Sequence, residues 1–359
     1  MTSRERVVAA LHRTEPDRVP VNYLANPGID GRLKAHFGLD AADHRGLRER
    51  LGVDFQGVAA PYAGPRLHED LTDRGIRVDP WGIRRRWVAH DTGGYWDFCD
   101  FPLEHADEAA VAAWPMPSPD DYDYAAVTRA CAQMGDLAVF VGGAGLPDIL
   151  NGNGFLRGVE QTLVDMMLDE PAGILLAERR TAIQIEVIAR TLEAARGRVD
   201  FVWMGEDLGT QKAPLISVEL FRRRIRPLHQ RVIDLAKAHD LPVMIHCCGS
   251  SSWAFDDFIE MGIDAVDTLQ PEAARMAPAY LKATYGDRLA FHGCISTAGP
   301  VSFGTPAEVV ADCRRTLDIM MPGGGYCFAP THQLQDNSPV ENVVAMYETA
   351  RTYGVYRRT

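Results

Sequence analysis

The sequence predicts an α/β protein folded as a single (β/α)8 TIM barrel over residues 1–359. Three observations predict it. From Asp136 onward, short apolar runs alternate regularly with longer helical stretches. The strand candidates number eight, which is the count that closes a parallel barrel. The runs end in glycine, histidine, cysteine or carboxylate residues, so polar groups collect at strand carboxyl ends, where α/β enzymes place their chemistry.

In chain order the expected strands are residues 19–23, 54–58, 137–141, 201–204, 243–245, 264–269, 289–291 and 326–329. The clearest helices between them are 171–195, 217–238, 306–320 and 339–353. Ser217-Val218-Glu219-Leu220 and Thr305-Pro306-Ala307-Glu308 read as helix starts, with a hydroxyl at the cap and an acid in the first turn. Residues 66–135 break the alternation and read as an insertion between the second and third strands. Within it, 76–87 forms a β-ribbon turning at 79–82, and 114–119 forms an extended, proline-rich connector. Arg84-Arg85-Arg86 reads as a solvated face, with an anion-binding role as the alternative.

Composition narrows the function classes. A net charge of −12 argues against a general nucleic-acid binder. No apolar run approaches the roughly 18 residues that cross a bilayer, and Met1-Thr2-Ser3-Arg4-Glu5-Arg6 opens no signal-peptide core, so a cytoplasmic protein is expected. The seven cysteines are then reduced thiols rather than a disulfide framework.

The most informative motif is His246-Cys247-Cys248-Gly249, directly after the apolar run 241–245. Residues two apart leave a strand on the same side, so His246 and Cys248 point together at its carboxyl end. Imidazole and thiolate form a ligand pair suited to Zn²⁺. The plainer alternative is a buried thiol beside a hydrogen-bonded core histidine. Cys247 points the other way and is assigned to packing. Cys294 follows the seventh strand, where packing and exposure at the mouth are both open.

Longer stretches carry a family resemblance: Asp207-Leu208-Gly209-Thr210-Gln211, His246-Cys247-Cys248-Gly249-Ser250, Gly286-Asp287-Arg288-Leu289-Ala290-Phe291-His292-Gly293, Phe303-Gly304-Thr305-Pro306, Gly323-Gly324-Gly325-Tyr326-Cys327-Phe328-Ala329-Pro330-Thr331-His332 and Pro339-Val340-Glu341-Asn342. With these in order, the chain resembles the uroporphyrinogen decarboxylase superfamily, which includes zinc-dependent corrinoid:thiol methyltransferases. The resemblance implies a (β/α)8 barrel. It also implies either decarboxylation of a tetrapyrrole or other polycarboxylate, or methyl transfer from a methyl-corrinoid such as methylcobalamin to a thiol. A non-catalytic corrinoid- or tetrapyrrole-binding protein is the third reading.

Two departures disfavour the decarboxylase reading. The segment 21–32, where the decarboxylases carry several arginines for substrate carboxylates, offers Arg32 alone. The second strand has no acid at its carboxyl end; Asp54 stands at its start instead. The methyltransferases implied by the resemblance bind zinc through a His-x-Cys pair, matched by His246 and Cys248, and a distant cysteine near the last strand. Here that third donor is His332 or Cys327, with Glu206 or Asp207 as a carboxylate fourth. On this reading His246, Cys248, His332 and Asp207 carry catalysis, and Gln211 and Asp207 contact polar groups of the substrate. Tyr62, Tyr95, Trp96 and Trp253 wall the pocket, with core packing as their alternative. Asp336 and Asn337 orient His332. No Asp-x-His-x-x-Gly cobalamin motif occurs, so a corrinoid would arrive free or on a separate corrinoid protein. The resemblance also implies a homodimer acting on a small-molecule substrate.

Overall fold

The computed structural model describes residues 1–356. Among these residues ten strands occur: β1 (Phe55–Val58), β2 (Ile76–Val78), β3 (Arg84–His90), β4 (Gly93–Phe98), β5 (Ala138–Pro147), β6 (Phe201–Gly205), β7 (Val243–Cys247), β8 (Ala265–Thr268), β9 (Ala290–Ile295) and β10 (Tyr326–Pro330). Seven of them make one curled parallel sheet in the order β1-β5-β6-β7-β8-β9-β10.

The expected first strand, residues 19–23, is not a ladder strand, yet it occupies the gap between β10 and β1. Phe328 N donates to Pro20 O at 2.8 Å, Asn22 N to Phe328 O at 3.0 Å, and Asp54 N to Val21 O at 2.8 Å. Pro20 has no N–H to give, and Val21 N donates to the Asp54 carboxylate at 2.8 Å instead of to a β1 carbonyl. The segment therefore closes the circle with two backbone bonds to β10 and one to Asp54, the residue before β1.

Side chains alternate across these strands. One set (Phe55, Ala138, Phe201, Trp203, Met244, Ala265, Ala290 and Cys327) packs together inside the barrel against Val7, Ala10 and Leu11 of the helix Ser3–Leu11. The opposite set, including Val139, Val202, Ile245, Val266, Phe291 and Phe328, meets the surrounding helices. The register Met244↔Ala265↔Ala290 and His246↔Asp267↔His292 stacks a polar layer directly on an apolar one.

The insertion differs from expectation in one element. The β2–β3 turn is held by Asp79, whose Oδ1 accepts from Trp81 N and Ile83 N, both at 3.0 Å. A third antiparallel strand, β4, then pairs with β3 in the order β2-β3-β4. Its Gly93-Gly94 start lacks the β-branched signal that marks a strand. Arg85 pairs with Asp79 at 2.8 Å while Arg86 is exposed, in keeping with a solvated face. A buried cluster of Ile83, Leu103, Val111, Leu156 and Leu176 fastens the insertion to the helix Pro171–Ala195.

That helix and Pro306–Met320 have the expected bounds, and the latter carries the Thr305/Glu308 capping box. The expected helix 217–238 is interrupted by a π segment at Phe221–Ile225. Pro227 cannot donate to the preceding turn, and the wider turn absorbs the missing bond. No helix among the described residues is long and apolar enough to cross a membrane.

Candidate metal centre at the barrel mouth

His246 and Cys248 lie at the end of β7, with the Cys248 sulfur 3.3 Å from His246 Nε2. His332, just beyond β10, brings its ring centroid to 6.1 Å from that of His246. One donor atom from each of the three lies within 4.8 Å of the others. Ligands about 2.0–2.3 Å from a tetrahedral zinc stand roughly 3.3–3.8 Å apart. The residues therefore fit that ion with small side-chain adjustment.

The backbone makes this possible at Gly249. Its φ is +70°, and a Cβ there would stand 2.2 Å from Gly209 O. Cys248 N donates to Asp207 Oδ1 at 2.9 Å, and Asn151 Nδ2 donates to Asp207 Oδ2 at 3.1 Å. Asp207 thus anchors the ligand loop, and its Oδ1 lies 3.7 Å from His246 Nε2.

Behind the ligands, His246 Nδ1 donates to Asp267 Oδ2 at 2.7 Å, and His292 Nδ1 to Asp267 Oδ1 at 2.5 Å. Burial alone would lower the His246 pKa, but the hydrogen bond and charge of Asp267, then Asp207 and Asp148, raise it above its ordinary value. Burial acts to raise the Asp267 carboxyl, and the His292 and His246 partners outweigh it, leaving Asp267 well below the usual carboxylate range. Burial, then the Asp207 charge, push the Cys248 thiol up. Partial loss of water around the ring, then the charge of His246, lower His332.

The Asp267 shift has a stability consequence. A depressed folded pKa contributes stability that is complete above the unfolded value of about 3.9 and is lost as pH falls towards the folded value. In metal-free protein, Asp267→Asn should lower the melting temperature clearly at pH 7 and somewhat less at pH 3, most of the effect disappearing only at still lower pH. Equal losses at both pH values would contradict this.

His246 and His332 line a cavity of about 220 Å³ whose other walls include Leu24, Phe140, Ala144, Trp203 and Asp267. Gly142 lets β5 approach: with φ +91°, a Cβ there would stand 2.1 Å from Trp203 O. A larger crevice, about 740 Å³, lies between the helix His44–Leu51 and residues 130–137. It reaches Ser3, Val53 and Gln56 at the amino-terminal side of the strands, the side barrels use for stability rather than chemistry.

The structure brings together His246, Cys248, His332 and Asp207 and sets the other expected site residues apart. Cys327 is packed inside the barrel at 1% exposure, so His332 is the third donor of the group. Glu206 is already occupied, accepting from Ile149 N and Leu150 N at 2.8 Å and from His229 Nε2 at 2.9 Å. That places its charge at a helix amino terminus. Gln211 sits on the exposed rim, donating to Gln270 at 3.3 Å. Tyr62 packs on Tyr122, Trp96 lies between Trp87 and Arg77, Tyr95 stands beside His90, and Trp253 packs on Phe221. None of these four aromatics lines the cavity. Phe140 and Trp203 do so instead, and both were visible as bulky aromatics inside strand runs. Asp336 accepts from Ile29 N at 2.9 Å at the start of the helix Pro27–His36, and so serves that helix rather than His332. Cys247 and Cys294 are core residues. Sequence reasoning missed Asp267 and His292, although each stands two residues after an inward alanine.

Fold and site define a parallel α/β barrel with a histidine–cysteine–histidine centre at its mouth. Residues 105–353 match the family model described as uroporphyrinogen decarboxylase (URO-D), which is more than half of the chain. The chain belongs to the uroporphyrinogen decarboxylase family. Among solved structures it is similar to a methyltransferase from Methanosarcina mazei, with a TM-score of 0.63 and 18% identity over 98% of this chain and 99% of that one. A B12-independent methionine synthase from Shewanella sp. W3-18-1, solved with selenomethionine, aligns over 95% and 96% at a TM-score of 0.43 and 9% identity. The first likeness shows the fold. No curated protein matches the sequence.

Proposed function

We propose that this protein is a zinc-dependent methyltransferase that moves a methyl group from a methyl-corrinoid or similar donor to a thiol acceptor. One observation carries the reading: two imidazoles and a thiol within 4.8 Å, the imidazoles lining a cavity of about 220 Å³. A methyltransferase shares the fold over nearly its whole length, which supports the same reaction class.

His246, Cys248 and His332 would hold the ion. Zinc bound there supplies the Lewis acidity that keeps an acceptor thiol deprotonated near neutral pH. Asp267 orients His246, and Asp207 ties down the Cys248 loop. Leu24, Phe140 and Trp203 give the acceptor an apolar wall and exclude water from its sulfur. His332 is the exposed ligand, so the donor approaches from its side. As the sulfur–carbon bond forms, the donor–methyl bond breaks and its electron pair leaves with the donor. The donor comes as free cofactor or on a separate corrinoid protein.

A panel of small thiols with methylcobalamin, followed by the spectral change on demethylation, tests the reaction. Turnover that a chelator abolishes and added zinc restores is expected. Equal rates with and without chelator would overturn the zinc reading.

Uroporphyrinogen III should not be turned over. Arg32, the one arginine of segment 21–32, donates to the backbone carbonyls of Asp336 and Ser338 and is not free to meet a carboxylate. No arginine or lysine among the described residues lines the cavity, which is also smaller than the roughly 300–1,000 Å³ of pockets for drug-sized ligands. Decarboxylation at about 1 s⁻¹ or faster, the usual enzyme range, would restore the decarboxylase reading.

A further inference from the structure

We propose that Asn22 and His292 are positioning residues for the metal ligand His246: acting through Asp267, they fix which of its ring nitrogens carries the proton. The proposal rests on the metal centre described above. It begins at a group with no freedom, the backbone amide of Tyr23, which can only donate.

Tyr23 N lies 2.8 Å from one terminal atom of the Asn22 side chain, so that atom is the oxygen. The other terminal atom is therefore the nitrogen, a donor, and it lies 3.0 Å from His292 Nε2. A donor facing Nε2 requires that nitrogen to accept, which leaves the His292 proton on Nδ1. Nδ1 donates to Asp267 Oδ1, and Asp267 Oδ2 accepts from His246 Nδ1. His246 Nε2 is then the nitrogen with a free lone pair, and it is the one beside Cys248. A zinc ligand must present an unprotonated nitrogen, so the chain of donors selects the tautomer that binds metal.

The chain is also buried: Asn22, Asp267 and His292 are 2%, 2% and 0% exposed, which leaves bulk water little access to the place of a missing partner. Asn22 is held on its backbone by Phe328 and by the Tyr347 hydroxyl, which donates to Asn22 O at 3.0 Å. The His292 ring is wedged edge-on by Phe55 and Trp203 at centroid distances of 5.6 and 5.3 Å.

The test is nitrogen-15 NMR of the histidine rings in metal-free protein, together with zinc affinity measured by competition with a chelator. Both His292 and His246 should carry their proton on Nδ1 in the wild type. Asn22→Asp preserves shape but replaces the donor with an acceptor. It should add a proton at His292 Nε2, and the imidazolium so formed should draw the Asp267 charge away from His246 and weaken zinc binding by about 10-fold or more, in the range seen for outer partners of metal ligands. His292→Asn, which restores an N–H where Nδ1 stood, should bind zinc more tightly than Asn22→Asp. Thermal melting shows whether each variant folds; should Asn22→Asp not fold, the wild-type ring signals decide alone. A wild-type His292 protonated on Nε2, or equal zinc affinity in wild type and a folded Asn22→Asp, would overturn the proposal. Wild-type protein with the expected protons but no zinc affinity would uphold the proton placement and remove the metal reading instead.

Discussion

His246→Ala should fold as a barrel and yet lose both zinc and methyl transfer. The imidazole is one of three donors within 4.8 Å and is the hinge between the ligands and Asp267. Loss of an outer partner costs about 10–100-fold in metal affinity, and loss of a ligand itself should exceed that. Transfer from methylcobalamin should fall to the rate of chelator-treated wild type. The apolar layers beneath, from Val7 through Phe201 to Met244, are untouched, so the barrel should still fold, with its melting temperature lowered by the unpaired Asp267 oxygen rather than by lost packing. Cys248→Ser should behave in the same way, because a hydroxyl is a poor replacement for thiolate on zinc. A variant that keeps stoichiometric zinc and full transfer would remove His246 from the centre.

The second large effect concerns stability, and it lies at the other end of the barrel. Asp54 is fully buried. Its Oδ1 accepts from Arg6 and Ser3 at 2.7 Å and from Arg18 at 2.9 Å, and its Oδ2 from Arg18 at 2.7 Å and Val21 N at 2.8 Å. One carboxylate thus joins the amino-terminal helix to the segment that closes the barrel. Removing one partner of a buried ion pair costs about 3–5 kcal/mol, because the remaining charges stay buried and unpaired. Asp54→Ala should lose about that much in chemical denaturation, with zinc content per folded chain unchanged. A loss below about 1 kcal/mol, the level of an exposed ion pair, would show that the network does not hold the closure.

Much of this architecture was legible in the sequence, for physical reasons that differ by element. The strands β6 to β10 are buried at nearly every residue, and their short apolar runs show it directly. The helices Pro171–Ala195 and Pro306–Met320 announce themselves through a proline at their first position. Residues 19–23 looked like a strand because their apolar pattern is that of one. Pro20, which has no N–H to give, already weakens that reading, and what the sequence could not show is that the Val21 amide turns to Asp54. Strand β4 was invisible because glycines carry no pattern, and the π segment because a proline inside a helix signals a break without its form.

In the site, the His-x-Cys spacing placed two donors on one side of one strand, a purely local inference. The third donor needed the closure of the barrel, which brings His332 rather than Cys327 to the pair. The aromatic walls were misjudged for the same reason. Tyr95 and Trp96 belong to a ribbon whose position no local rule fixes, whereas Phe140 and Trp203 point inward by simple alternation along their strands. Asp267 and His292 share a cross-strand register with His246, and register between separate strands is a property of the folded sheet.

The most direct test of the account is the metal content and metal environment of the purified protein, by elemental analysis and X-ray absorption at the zinc edge. About one zinc per chain is expected, with one sulfur near 2.3 Å and nitrogen neighbours near 2.0–2.1 Å. Cys248→Ser should retain little zinc. Protein supplied with zinc that retains none, or that holds zinc with no sulfur neighbour, would contradict the centre on which the proposed reaction depends.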